Sequence, residues 1–292
     1  MDLPDRIRPY VERLLGWQRA VTARAVLARF AAAGGGLLAG GLTYSALFAL
    51  LPTLVLITAI LGFLVDDQSR RTAFVDALAD AFPPLSDFLA ATVDQVARGA
   101  AGFGLVGLVG LAWGASRFYG SLDDAFARIF AGVPARGFVA RTIRGVLSVA
   151  LILSVFLVAL TLTSLASFLA AQTTGRFGGL SFDVWSIVSP LLAAAVLVVG
   201  TLVTYRIVPA RHVPWSAALA PAIAVGCSIA ALTQAFSYVA PRLIGTAALF
   251  GTFVAVFAAM IWMSTAFQLL LVGAAWVRER LGEPLPPFLE RS

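Results

Sequence analysis

Arg117 and Arg206 are the side chains of this sequence best suited to holding a ligand. Arg117 has Trp113 and Tyr119 as neighbours, and Arg206 follows Tyr205. A guanidinium is planar and permanently charged, and its fork of donors matches a phosphate or carboxylate bidentately. Tyr44 carries the one ionisable group in an otherwise charge-free stretch from Phe30 to Val65. Arg117, Arg206, Tyr44, Trp113 and Tyr205 therefore form the candidate substrate-binding set, and convergence of the two arginines would imply an anionic headgroup or metabolite. The competing account has both arginines snorkelling to anchor helix ends.

Bond-breaking chemistry has less material to work with. His212 is the one histidine and Cys227 the one cysteine, which excludes a Cys/His zinc site and an intrachain disulfide. The chain has no lysine, so Schiff-base and phosphate-loop chemistry lack their residue. Asp123 and Asp124 are adjacent, and adjacent helical residues point about 100° apart, a poor start for metal ligation. Asp124 stands four residues before Arg128, the spacing of a helix-surface ion pair. His212, in a short loop near Pro209, reads as a surface residue. No nucleophile elbow, phosphate loop or dinucleotide fingerprint is present. We expect no catalytic residues, no metal, no cofactor and no enzymatic activity.

The elements that position these residues are membrane helices. Hydrophobic residues make up 60% of the chain and charged residues 12%, with a mean hydropathy of +0.92. Soluble domains carry about 25% charged residues, so a bilayer is the natural solvent for this one. The run from Phe30 to Val65 exceeds the roughly 20 residues that cross a bilayer. Five further spans lie near Ala100–Phe118, Ile143–Ala171, Val184–Tyr205, Trp215–Ala240 and Leu243–Val277. The expected fold is all-α and polytopic, with six transmembrane helices. Residues 1–29 read as a basic amphipathic segment, 30–277 as the membrane domain and 278–292 as a tail. Within the domain, residues 66–99 read as an amphipathic helical pair between helices one and two, broken at Pro83-Pro84.

Gly36 and Gly40 are in the small-xxx-small register that lets a neighbouring helix approach, and Pro52 invites a kink. Gly251 sits near the start of the last span and joins them as a packing position. The alternative for the same residues is a broken helix at a transport site. The chain carries a formal charge of +6. With the N-terminus inside, 16 of its 21 arginines lie on inner segments and five on outer ones, so both termini are expected in the cytoplasm. The arginines border apolar spans instead of forming a basic soluble block. The expected partners are therefore anionic membrane lipids and not nucleic acid. A homo-oligomer is compatible with the chain, and no internal repeat is legible.

From Tyr44 to Pro52, YSALFALLP, the sequence resembles the signature of the YihY/BrkB family of bacterial inner-membrane proteins. Further matches follow in order: WGASRFYGSLDDAFARIF from Trp113 to Phe130, YRIVP from Tyr205 with Trp215 beyond it, and FGTFVAVFAAMIWMSTAFQLLLVG from Phe250 to Gly273. The resemblance covers roughly residues 30–280. It implies a six-helix fold in the inner membrane, without a settled activity: transport has been suggested, and an old ribonuclease label is attached to the name. Many members continue after the last-helix glycine with Ala-Glu, whereas here Gly273-Ala274 is followed by Ala275, so any role of that acid does not carry over. A transporter or lipid-handling protein for an anionic lipid or metabolite is the leading expectation. A non-transporting scaffold or envelope-assembly protein is the alternative.

Overall fold

The computed structural model describes residues 8–64, 100–130, 184–209, 211–245 and 251–282. All regular structure among them is helical: α1 (Arg8–Ala32), α2 (Gly35–Leu64), α3 (Ala100–Phe130), α4 (Val184–Ile207), α5 (Trp215–Gly245) and α6 (Gly251–Arg280). Among the described residues three helices carry windows long and apolar enough to cross a membrane, Pro190–Ile207, Trp215–Val239 and Val256–Arg280. A fourth span is counted if Ala20–Ala32 and Gly35–Ala49 cross as one bent pair. The expected third span, 143–171, and the expected helical pair, 66–99, lie outside the described residues.

The opening apolar run is not one helix from Phe30. It breaks at Ala33-Gly34, and the two sides meet at 61°. Gly34 adopts φ +71°, the left-handed conformation that ends helices, and its N–H donates to the Ala31 carbonyl at 2.9 Å. Its own carbonyl then accepts from Leu38 at 3.0 Å and starts α2. Gly35 is constrained differently, because a Cβ there would overlap the Phe30 ring. Hydropathy does not place such a bend, since the apolar run continues across it from Phe30 into α2. Past the bend, α2 stays a single helix through Pro52 to Leu64.

At the other end of the chain, the last span begins later than hydropathy implies. Leu243 belongs to α5, and α6 opens at Gly251. It closes on Gly282, again at φ +71°, whose N–H reaches the Glu279 carbonyl at 3.0 Å. Hydroxyls inside the apolar helices are satisfied locally: Thr43, Thr201, Thr204 and Thr265 each donate to the carbonyl four residues back at 2.7–2.8 Å. That pattern suits a surrounding with no water to bond.

Helix α2 packs along α3, α4 along α5, and α5 along α6, while α6 also meets α1, α2 and α3. Their shared core holds Leu42, Phe126, Ile129, Phe130, Tyr205, Val208, Val213 and Leu271. The close helix approaches are at single glycines. A Cβ at Gly114 would sit 2.7 Å from the Ala49 Cα, and one at Gly226 would sit 2.6 Å from the Val198 Cα. By contrast, Gly36 and Gly40 have nothing within 4 Å among the described residues, so the close contact expected from their register is not found there.

Candidate functional site

The Gly114 approach fixes where α2 and α3 touch. Farther along the pair, Ser45 and Ser121 hydrogen-bond across it at 2.8 Å. Between and beside these two contacts opens a cleft of about 380 Å³. Helix α2 lines it with Tyr44, Ser45 and Phe48, and α3 with Trp113, Ser116, Arg117, Gly120, Ser121 and Asp124. The α3 spacings of three, four, seven, eight and eleven residues from Trp113 place all of these on one helix face. The volume lies in the range of small-molecule sites, roughly 300–1,000 Å³.

Aromatic rings form one wall. Tyr44 and Phe48 lie 4.7 Å apart between ring centroids, and Phe48 meets Trp113 edge-on at 6.1 Å. The Arg117 guanidinium stands 5.8 Å from the Trp113 ring centroid, within reach of a cation–π attraction. Tyr44 is 60% exposed and Trp113 56%, so the wall is open and not core packing. The site thus combines an apolar face, one fixed cation, one carboxylate and several hydroxyls. Such a set can bind and orient, and no nucleophile–base pair is among its lining residues. Among the described residues no three His, Cys, Asp or Glu come together as metal ligands.

Three of the five sequence candidates, Tyr44, Trp113 and Arg117, therefore share one cleft. The other two do not join them. Arg206 stacks on Trp215 with its Cζ 3.9 Å from the ring centroid, an arrangement that anchors α4 to the start of α5. Tyr205 is fully buried, and its hydroxyl donates to the Leu270 carbonyl at 2.8 Å. It ties α4 to α6 and touches no open surface. The convergence weighed for Arg117 and Arg206 gives way to Arg117 in the cleft, beside Trp113, and Arg206 outside it, on Trp215.

Ser45, Phe48, Ser116, Gly120 and Ser121 are the lining residues that sequence reasoning passed over, and Asp124 was weighed only as a metal ligand or a partner of Arg128. The signal was present: four residues past Arg117 on the same face is Ser121, and three more reach Asp124. His212 is exposed in the α4–α5 loop.

Two buried arginines were also passed over. Arg29 Nε donates to Glu279 Oε2 at 2.7 Å, joining the end of α1 to the end of α6 across 250 residues of sequence. Arg278 Nη1 donates to the Ile129 carbonyl at 2.7 Å, where the negative end of the α3 dipole favours a cation.

The family model described as virulence factor BrkB matches residues 26–283 of this chain, from the last turns of α1 past the end of α6. No curated protein and no solved structure matches it.

Proposed function

The chain belongs to the virulence factor BrkB family of membrane proteins, and we propose that it handles an anionic lipid or metabolite at the α2–α3 cleft, as a transporter or lipid-handling protein and not as an enzyme. The observation that carries this reading is the meeting of Arg117 with Tyr44, Phe48 and Trp113 in one open cleft. A guanidinium beside aromatic rings holds a phosphate or carboxylate while the rings take the apolar part of an amphiphile. In this reading six helices span the inner membrane, the third supplied by residues 143–171, with both termini in the cytoplasm. Arg117 then lies toward the cytoplasmic side, where anionic headgroups gather. Arg206, stacked on Trp215 of the next helix, fits the anchoring role that a scaffold would give both arginines; Arg117 meets Trp113 of its own helix, at the cleft.

The test is binding of tail-labelled phosphatidylglycerol to the purified chain in a non-ionic detergent. Arg117→Lys keeps the charge and loses the fork, and is expected to weaken binding about tenfold. Arg206→Lys is expected to leave it unchanged. Equal binding by wild type and Arg117→Lys would remove the anchor.

The topology is tested separately in a Cys227→Ser background. A membrane-impermeant thiol reagent applied to intact cells is expected to label Ser86→Cys and Thr174→Cys, and to miss Ser121→Cys and Ser292→Cys. Labelling at position 292 would reverse the orientation.

A further inference from the structure

The polar groups that line the cleft divide into those whose hydrogen bonds are made and those whose are not. Ser45 Oγ lies 2.9 Å from the Gly41 carbonyl oxygen and 2.8 Å from Ser121 Oγ. A hydroxyl has one proton, so Ser45 donates to Gly41, Ser121 donates to Ser45, and both protons are spent. Asp124 has a partner of its own. Arg117 is different. Among the described residues it makes no hydrogen bond and no ion pair, and its contact is the Trp113 ring.

The Trp113 indole, the Ser116 hydroxyl and the Tyr44 hydroxyl are likewise without a hydrogen bond among the described residues. Ser116 is the clearest of the three. Thr43, Thr201, Thr204 and Thr265 return their protons to the carbonyl four residues back, and Ser116 does not. Each uncommitted group brings a donor: Arg117 and Trp113 can only donate, and the two hydroxyls can donate. Trp113, Ser116 and Arg117 are spaced three and four apart on one face of α3, and Tyr44 lines the same cleft from α2. The result is a cluster of neutral donors round one fixed positive charge.

This cluster separates the two anions that a guanidinium binds. A carboxylate is planar and accepts near its own plane, where the Arg117 fork already meets it. A phosphate is tetrahedral, so with two oxygens on the fork it still turns acceptors out of that plane. Donors drawn from two helices reach a ligand from its two sides, which suits the tetrahedral group. We infer that the anion of the cleft is a phosphate ester and not a carboxylate, with Trp113 Nε1, Ser116 Oγ and Tyr44 Oη donating to it beside Arg117. This rests on the reading of Arg117 as the anion anchor and chooses between the anions which that reading leaves open. Membrane lipids and soluble glycerophosphates both carry the group, and the donors address what the two share.

The experiment compares labelled hexadecyl methyl phosphate with hexadecanoate on the full chain in non-ionic detergent, at about pH 9, where each head carries one charge. Wild type is expected to prefer the phosphate by about tenfold, the scale of one or two neutral hydrogen bonds. Trp113→Phe and Tyr44→Phe keep a ring and delete a donor, and Ser116→Ala deletes an exposed hydroxyl. Combined, the three are expected to bring the preference below about twofold while hexadecanoate binding holds. Arg117→Gln is expected to weaken both ligands. Equal affinity of wild type for the two heads overturns the phosphate assignment, even if Arg117→Gln still weakens both. A preference that survives in the triple variant overturns the three donors. Full binding of both ligands by Arg117→Gln removes the anchor instead. Competition with glycerophosphoglycerol, a phosphate ester without tails, separates the sources. Displacement at matching concentration assigns the group to a soluble ester, and its failure assigns it to a lipid.

Discussion

Leucine at Gly273 is expected to abolish most of the folded protein, while leucine at Gly40 leaves it intact. A Cβ at Gly273 would overlap the Tyr205 hydroxyl and come within 2.5 Å of Val225 Cγ2. The tyrosine has no way to yield. It is fully buried, it packs against Phe126 at 6.3 Å between ring centroids, and its hydroxyl is committed to the Leu270 carbonyl on the same helix as Gly273. Moving the ring would leave that hydroxyl unsatisfied in an apolar bundle. Overpacking costs about 1–3 kcal/mol and a stranded buried polar group a similar amount. A fall in melting temperature of about 10 °C or more follows for a chain of this size. Even Gly273→Ala meets the same atom, so Tyr205→Phe, which deletes it, is expected to rescue part of the alanine variant's loss. Gly40 faces open space among the described residues, so its leucine variant is the control. Equal melting of the Gly273→Leu variant and wild type would show that α4 and α6 do not meet in this way.

The second large effect is expected at Glu279. Its partner Arg29 has a side chain only 3% exposed, so Glu279→Ala leaves a guanidinium buried without its carboxylate. Breaking a buried pair costs about 3–5 kcal/mol, and the 28% exposure of Glu279 lowers this to about 2–3 kcal/mol. Glu279→Gln retains an acceptor oxygen and is expected to cost less. The pair holds α1 against the end of α6, so limited proteolysis near Arg24 is expected to accelerate with the loss of stability. Salt separates this account from a surface ion pair. Raising ionic strength to about 1 M would erase a surface contribution and is expected to leave most of this one. A Glu279→Ala variant that melts with wild type would demote the pair to a passive contact.

Three or four of the expected spans were legible in the sequence because apolar length is a direct readout of a bilayer-crossing element, and Trp215 marked the start of α5 to the residue. The Gly34 bend was not, because φ at one glycine leaves no trace in hydropathy. Glycine register misled at Gly36 and Gly40, whereas the close approaches are at Gly114, four residues after Gly110, at Gly226, between Ala222 and Ala230, and at Gly273, which has no small residue four away. Local context likewise made Arg117 and Arg206 look alike, each beside an aromatic residue. What separates them is the third dimension: α2 brings Tyr44 and Phe48 to one, and the α4–α5 loop brings Trp215 to the other. Arg29 and Arg278 counted in the sequence only as charges on the inner side. Their partners, Glu279 and the Ile129 carbonyl, lie 250 and 149 residues away, beyond any local pattern.

The most direct measurement is an experimental structure of the full chain in a bilayer containing phosphatidylethanolamine and phosphatidylglycerol. A headgroup is expected between α2 and α3, its phosphate within hydrogen-bond reach of the Arg117 guanidinium and its apolar part against Tyr44, Phe48 and Trp113. An α2–α3 cleft filled by protein side chains, with Arg117 turned outward to bulk headgroups as Arg206 is turned onto Trp215, would contradict it.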